Sequence, residues 1–188
     1  MLEFKGIGKL VLRWLLVVTG IAALVACERV NLALDAEPAP TSTPELLSQW
    51  AADAAASSHY ALPDWSPQRA TRAPEVSACS DDARAWASAR GNGVEWLELT
   101  YTEPVYATEV RVYQTYGRGA VSRVTLLDTA GDRHVVWEGV DETEPCPGVL
   151  AVPVSLMETR VAKVRVDLDE SRTGSWNQID AVELVGIP

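Results

Sequence analysis

The sequence predicts an all-β fold, an antiparallel jelly-roll sandwich of about eight strands. Three observations predict it. The stretch Glu95 to Tyr116, EWLELTYTEPVYATEVRVYQTY, alternates apolar and polar residues with period two, the mark of half-buried strands. A Gly-containing turn at Thr129 to Asp132 joins two further alternating runs as a hairpin. The remaining alternating runs are joined by short connections, with no long helical period among them.

Composition bounds the partners. The 188 residues carry 16 basic and 26 acidic side chains, a net charge of -10. Such a chain has no general attraction to nucleic acid or to anionic lipid headgroups, so no nucleic-acid partner is expected. Seven Trp residues supply core-filling volume and flat faces for stacking.

The N-terminus reads as an address. Lys5, Lys9 and Arg13 precede an almost unbroken apolar run from Trp14 to Ala26, the pattern of a secretory signal. The run is shorter than the roughly 20 residues a membrane-spanning helix needs. It ends in Leu24-Val25-Ala26-Cys27, which resembles the bacterial lipobox. That resemblance implies a lipoprotein signal peptide at 1–26, cleaved before an acylated Cys27. The competing readings are an uncleaved anchor, or an ordinary signal with a coincidental Cys. Each buried acyl CH₂ contributes about 0.8 kcal/mol, so several chains (palmitate among them) give stable attachment. Glu28, rather than Asp, implies the outer membrane where the cell has two, and otherwise the outer face of the cell membrane. Residues 27–47 then form a tether and 48–188 the folded domain.

Along the domain, Thr43-Pro44-Glu45 has the signature of a helix start, and Leu46, Leu47 and Trp50 keep helical spacing, so propensity predicts a short helix at about 44–52. Residues 61–93 are rich in Pro, Gly, Ser and Asp, and such long irregular segments are functional or pinned. Cys79 lies in this one. Within Glu95 to Tyr116, Pro104 cannot donate to a ladder, which predicts a connection there between two strands. Val121 to Asp128 and Arg133 to Glu138 form the hairpin. Val149 to Ser155 contains Pro153 and reads as an edge strand. Val161 to Leu168 places Ala162, Val164, Val166 and Leu168 inward, and Ile179 to Val185 closes the chain.

Two cysteines remain beside Cys27. Cys79 and Cys146, in an exported protein, pair most simply as a disulfide. The competing reading is a metal or redox pair, but no CxxC exists and His59 and His134 have no ligand spacing.

Catalytic signatures are missing. Gly117-Arg118-Gly119 mimics part of a dinucleotide turn, but a strand follows it rather than a helix. No nucleophile elbow, zinc signature or phosphate loop occurs. Asp81-Asp82, Asp141-Glu142-Glu144 and Asp167-Asp169-Glu170 read as solvated charge. An enzyme is not expected.

WSPQRATRAPEV (65–76), AWAS (85–88), the Glu95 to Tyr116 stretch, GRGAVSRVTLLD and GSWNQIDAVELVG (174–186) together resemble a galactose-binding-like, discoidin or coagulation factor C-type β-sandwich. The similarity spans about 48–187. It implies an extended, strand-like 48–60 in place of the helix. It also implies that ligand is taken by loops. The loop aromatics and donors Tyr60, Trp65, Tyr116, Arg118, Trp176 and Asn177 are the candidates, since sugar recognition wants an aromatic face with Arg or Asn beside it. Among these, Trp65 and Trp176 read as end packing of the sandwich, and Tyr116 with Arg118 as the exposed pair. Some members hold a structural calcium between the loop after the first strand and an acid of the last strand, here Glu183. Arg72 and Glu75 stand where many relatives have Gly and Asp, and Arg72 is alternatively a partner for Glu183. No other cofactor is implied. The function expected is a lipid-anchored envelope module that recognises glycan. The alternative is an envelope scaffolding domain that binds protein.

Overall fold

The computed structural model describes residues 44–155 and 157–188. The expected signal peptide, Cys27 and most of the tether lie outside the described residues. Eight strands follow in order: β1 (Leu47–Trp50), β2 (Asp53–Ala56), β3 (Val94–Tyr116), β4 (Val121–Asp128), β5 (Arg133–Glu138), β6 (Gly148–Pro153), β7 (Val161–Asp169) and β8 (Gln178–Ile187). The helical elements among the described residues are two short 3-10 turns, Pro67–Thr71 and Glu170–Arg172.

All pairings are antiparallel, and β3 belongs to two sheets. Its N-terminal half pairs with β2 and β7, and β7 continues to β4 and β5. Its C-terminal half lies between β6 and β8, and β8 pairs onward with β1. The Pro104 prediction is therefore corrected. Glu95 to Tyr116 is not two strands with a connection but one 23-residue strand that bends from one sheet into the other. The register against β7 shifts between Thr100 and Val105, where the missing N–H of Pro104 costs no ladder bond. At the bend the Gln49 side chain stands in for a strand: its amide donates to Glu103 O at 2.7 Å and accepts the Glu103 N–H at 3.3 Å.

The helix that propensity predicts at 44–52 is not formed, and the strand-like expectation for 48–60 is met by β1 and β2. Leu47 to Trp50 register against Gly186 to Glu183, and Asp53 to Ala56 against Thr100 to Leu97. The two free edges of β3 and β8 need partners for their backbone groups, and that demand overrides a weak local preference.

Alternation decides which face is buried. Leu97, Leu99, Val124, Leu126, Val164, Val166 and Leu168 of one sheet meet Val110, Val112, Val152, Val182 and Leu184 of the other. Each fully buried Val or Leu contributes roughly 1.5–3 kcal/mol. In β7 it is Val161, rather than Ala162, that reaches the core, because the register shifts beside it. β6 with its terminal Pro153 pairs only with β3, as an edge strand should. Trp86 is fully buried at one end of the sandwich, its indole N–H donating to Ser58 O at 3.1 Å.

Cys79 and Cys146 are joined as a disulfide across a sequence separation of 67. The bond ties the irregular 61–93 segment to the loop before β6.

Candidate functional site

At one end of the sandwich the loop after β2 is laid as an irregular ribbon against residues 83–87. Tyr60 N–H donates to Ala87 O at 2.9 Å, Trp65 N–H to Ala83 O at 3.1 Å, and Ala87 N–H to Trp65 O at 3.2 Å. Trp65 has φ of +52°, the one non-Gly residue in the left-handed region among the described residues. Strain of this kind costs of order 1–3 kcal/mol and concentrates where a side chain must be aimed for function.

Trp176, just before β8, is brought to the same place from the other side. Its backbone is clamped by two glycines. A Cβ on Gly91 would lie 2.6 Å from Trp176 N, and one on Gly117 only 1.9 Å from Trp176 O. Gly117 also has φ of +55°, so the approach and the turn both require glycine there.

The result is a shallow open cleft lined by Tyr60, Trp65, Asp81, Ala87, Trp176 and Gln178. Tyr60 makes T-shaped contacts with both indoles, with ring centroids 5.2 Å from Trp65 and 5.8 Å from Trp176. Tyr60 is 55 % exposed and Trp176 36 %. The floor is polar: Asp81 Oδ1 accepts from the Trp65 indole N–H at 3.1 Å and from the Gln178 amide at 2.5 Å. Gln178 in turn accepts the Asp82 N–H at 3.0 Å. Beside it, hydrogen bonds from Arg84 hold the Asp82 carboxyl down at about 2.

A buried polar chain lies behind the cleft. Glu170 accepts from Ser88 Oγ at 2.7 Å and from the Asn177 N–H at 3.1 Å. The Asn177 amide donates to Gln114 at 2.7 Å, and the Gln114 amide to Asp141 at 2.8 Å. The expectation that the loop acids are solvated is thus wrong for Asp141 and Glu170, which are buried and satisfied inside this chain. Burial pushes the Glu170 carboxyl above its ordinary 4.5, against the hydrogen bonds from Ser88 and Asn177. The folded state then holds this proton more tightly than the unfolded chain, so stability falls as pH rises from about 4.5 through the raised folded value. Asp180, raised mainly by burial from 3.8, acts with the same sign. Glu170→Gln is expected to make that decline shallower, measured as urea midpoints across a pH series. A variant with the wild-type slope would remove Glu170 from the account.

Of the sequence candidates, Tyr60, Trp65 and Trp176 come together, with the two indoles forming cleft walls rather than packing the sandwich end. Trp86 takes that packing role. Asn177 is fully buried behind the cleft and holds the loop in place. Tyr116 and Arg118 are half-buried and do not line the cleft. Arg118 is turned to Glu144 at 2.9 Å and its side chain is only 18 % exposed. The reading of these two as an exposed pair is corrected, because Gly117 must pass under Trp176. Asp81 and Gln178 are lining residues that sequence reasoning missed. Asp81 was visible only as half of an acidic pair.

Glu183 does not fit a calcium ligand. It is 5 % exposed and receives Ser48 Oγ, Tyr113 Oη at 2.9 Å and Arg111 Nη1 at 3.2 Å. Burial acts to raise its carboxyl, but these donors outweigh burial and hold it below its ordinary value. A guanidinium already occupies the place a cation would take. Arg72 pairs with Glu75 at 3.1 Å instead of with Glu183. The acid of β8 that faces the 72–76 loop is Asp180, which accepts the N–H groups of Glu75 and Val76 at 2.9 Å each. Both N–H groups go to Oδ2, and Oδ1 is buried with no hydrogen-bond partner among the described residues. Among the described residues no group of three or more His, Cys, Asp or Glu is placed to hold a metal ion.

The comparisons with known proteins come to the same fold. The family model described as "Pappalysin-1, SD scarf domain, C-terminal" matches residues 41–188. A chitosan-binding module from a chitosanase/glucanase of Paenibacillus sp. IK-5 superposes with a TM-score of 0.51 at 17% identity, covering 70% of this chain and 92% of that one. A CBM32 module produced by Clostridium perfringens, in complex with GlcNAc-α-1,4-galactose, gives 0.55 at 11% identity, covering 77% and 97%. The CBM32 of AlyQ, in complex with 4,5-unsaturated mannuronic acid, gives 0.53 at 13%, covering 73% and 97%. Comparison with curated proteins gives no match. The fold is the galactose-binding-like, discoidin-type β-sandwich.

Proposed function

The chain belongs to the family of the pappalysin-1 SD scarf domain, C-terminal, and from its aromatic cleft we propose that it is a glycan-binding module. The observation that carries this reading is the convergence of Tyr60, Trp65 and Trp176 around the polar pair Asp81 and Gln178. A pyranose ring offers C–H groups on its face and hydroxyls at its rim. Indole and phenol faces suit the first, and the Asp81 carboxylate, held by the Gln178 amide, suits the second. The cleft is open to solvent, so a longer saccharide can extend beyond it. The structural neighbours described above are named as binding chitosan or as complexes with saccharides, which supports the reading.

The module is non-catalytic in this reading. Glycoside hydrolysis uses a pair of carboxyls flanking the bond, and the cleft lining holds one, Asp81. Calorimetric titration of the protein against a panel of neutral, acidic and amino-bearing oligosaccharides tests the proposal. Saturable binding to one class is expected, and a folded protein that binds none refutes it.

The lipobox-like Leu24-Val25-Ala26-Cys27 supports placing this module on a membrane through acylated Cys27, exported and facing the cell envelope. Cys27→Ala is expected to abolish acylation and cleavage, read from metabolic fatty-acid labelling and a mass shift in the mature protein. Unchanged labelling and mass would contradict the anchor.

A further inference from the structure

We infer that the aromatic cleft selects a cationic saccharide, one carrying a free protonated amine, over its neutral and anionic counterparts. The inference rests on the glycan-binding reading and names the class of glycan.

The rings supply the first half of the argument. Tyr60 lies at 70° to Trp65 and at 86° to Trp176, so the three planes form a corner rather than a single stacking platform. A ring face open at such a corner attracts a positive charge through its quadrupole, in addition to the C–H groups of a sugar.

The carboxylate supplies the second half. Asp81 is exposed and is the one charged residue in the lining. Its Oδ1 receives both the Trp65 indole and the Gln178 amide, which fixes the carboxylate in the cleft. Its Oδ2 has no hydrogen-bond partner among the described residues, so an acceptor-only, negatively charged atom is left for the ligand. Two arginines of the 61–93 segment are engaged by other acids. Arg69 is taken by Asp64 at 2.6 Å and Arg84 by Asp82 at 2.7 Å. The surrounding chain is itself acidic, with net charge -10. An ammonium group satisfies both the rings and Oδ2. An acetamido group brings no charge, and a uronate carboxylate meets Asp81 as a like charge.

The test is calorimetric titration of the full chain at mildly acidic pH with four probes: a glucosamine tetramer, the N-acetylglucosamine tetramer, a galacturonate tetramer and tetramethylammonium chloride. The glucosamine tetramer is expected to bind at least tenfold more tightly than its acetylated counterpart, with no galacturonate binding. Asp81→Asn keeps an acceptor toward Trp65 and Gln178 but removes the charge, and is expected to erase the tenfold preference while the unfolding midpoint holds. Equal or tighter binding of the acetylated tetramer overturns the charge selection and leaves the glycan reading standing. Binding of tetramethylammonium with no saccharide binding overturns the glycan reading, and with it the amino-sugar assignment. Failure of all four probes with folded protein overturns both.

Discussion

Trp176→Ala is expected to weaken saccharide binding by at least tenfold while leaving the unfolding midpoint close to that of the wild type. The indole is 36 % exposed and forms one wall of the cleft, in T-shaped contact with Tyr60. Its removal takes away a stacking face and opens the cleft to water. A tenfold loss corresponds to about 1.4 kcal/mol, within the range that truncating an anchoring Trp produces at recognition sites. The fold has little to lose, because the loop is held by its backbone and by Asn177 rather than by the indole. Asn177 N–H is bonded to Glu170 and its amide to Gln114, independently of the neighbouring ring. Trp86→Ala is the contrasting control, because that indole is fully buried in the core. Titration and urea unfolding of both variants separate binding from stability. A Trp176→Ala protein with wild-type affinity would move the binding surface elsewhere.

The second large effect is expected from the disulfide. Replacing Cys79 and Cys146 together with Ala is expected to cost about 4 kcal/mol of stability in the chain-entropy model, given the 67-residue separation. Unfolding by urea is the measurement, with a larger m-value expected because the uncrosslinked denatured chain exposes more surface. Binding should weaken as well, because Cys79 is two residues from Asp81, and the bond holds that stretch against the loop before β6. Asp81 keeps its own bonds to Trp65 and Gln178, so a partial loss is expected rather than abolition. A double variant within 1 kcal/mol of the wild type would mean that the 61–93 segment is held by its backbone bonds alone.

Much of the fold was legible because strand pairing leaves a period-two record. β3 and β7 bury alternating residues, whereas β8 is buried along nearly its whole length, and Pro153 marks an edge. What the record does not carry is the route of the chain in space. Nothing local in Thr100 to Val105 says that a strand continues through Pro104, because the substitute partner is Gln49, 54 residues away. The helix signature at Thr43-Pro44-Glu45 failed for the same reason, since the edges that recruit β1 and β2 are distant in sequence.

The site was half legible. Aromatic residues in irregular segments pointed to Tyr60, Trp65 and Trp176. Their assignment to the surface instead of the core needed the structure, because Trp86, twenty-one positions after Trp65 and equally apolar, is the one that goes inside. Tyr116 and Arg118 misled because two adjacent glycines suggest an exposed turn. Gly117 instead serves the close passage beneath Trp176. Asp81 carried no distinguishing pattern, since a carboxylate beside another reads as solvated until its partners are known.

The central claim is that one aromatic corner at the end of the sandwich takes a saccharide. Its most direct test is calorimetric titration of the wild type and of a Tyr60→Ala/Trp176→Ala double variant against the saccharide that binds best. The account predicts saturable binding by the wild type and none measurable by the folded double variant. Binding of equal strength by both would contradict it.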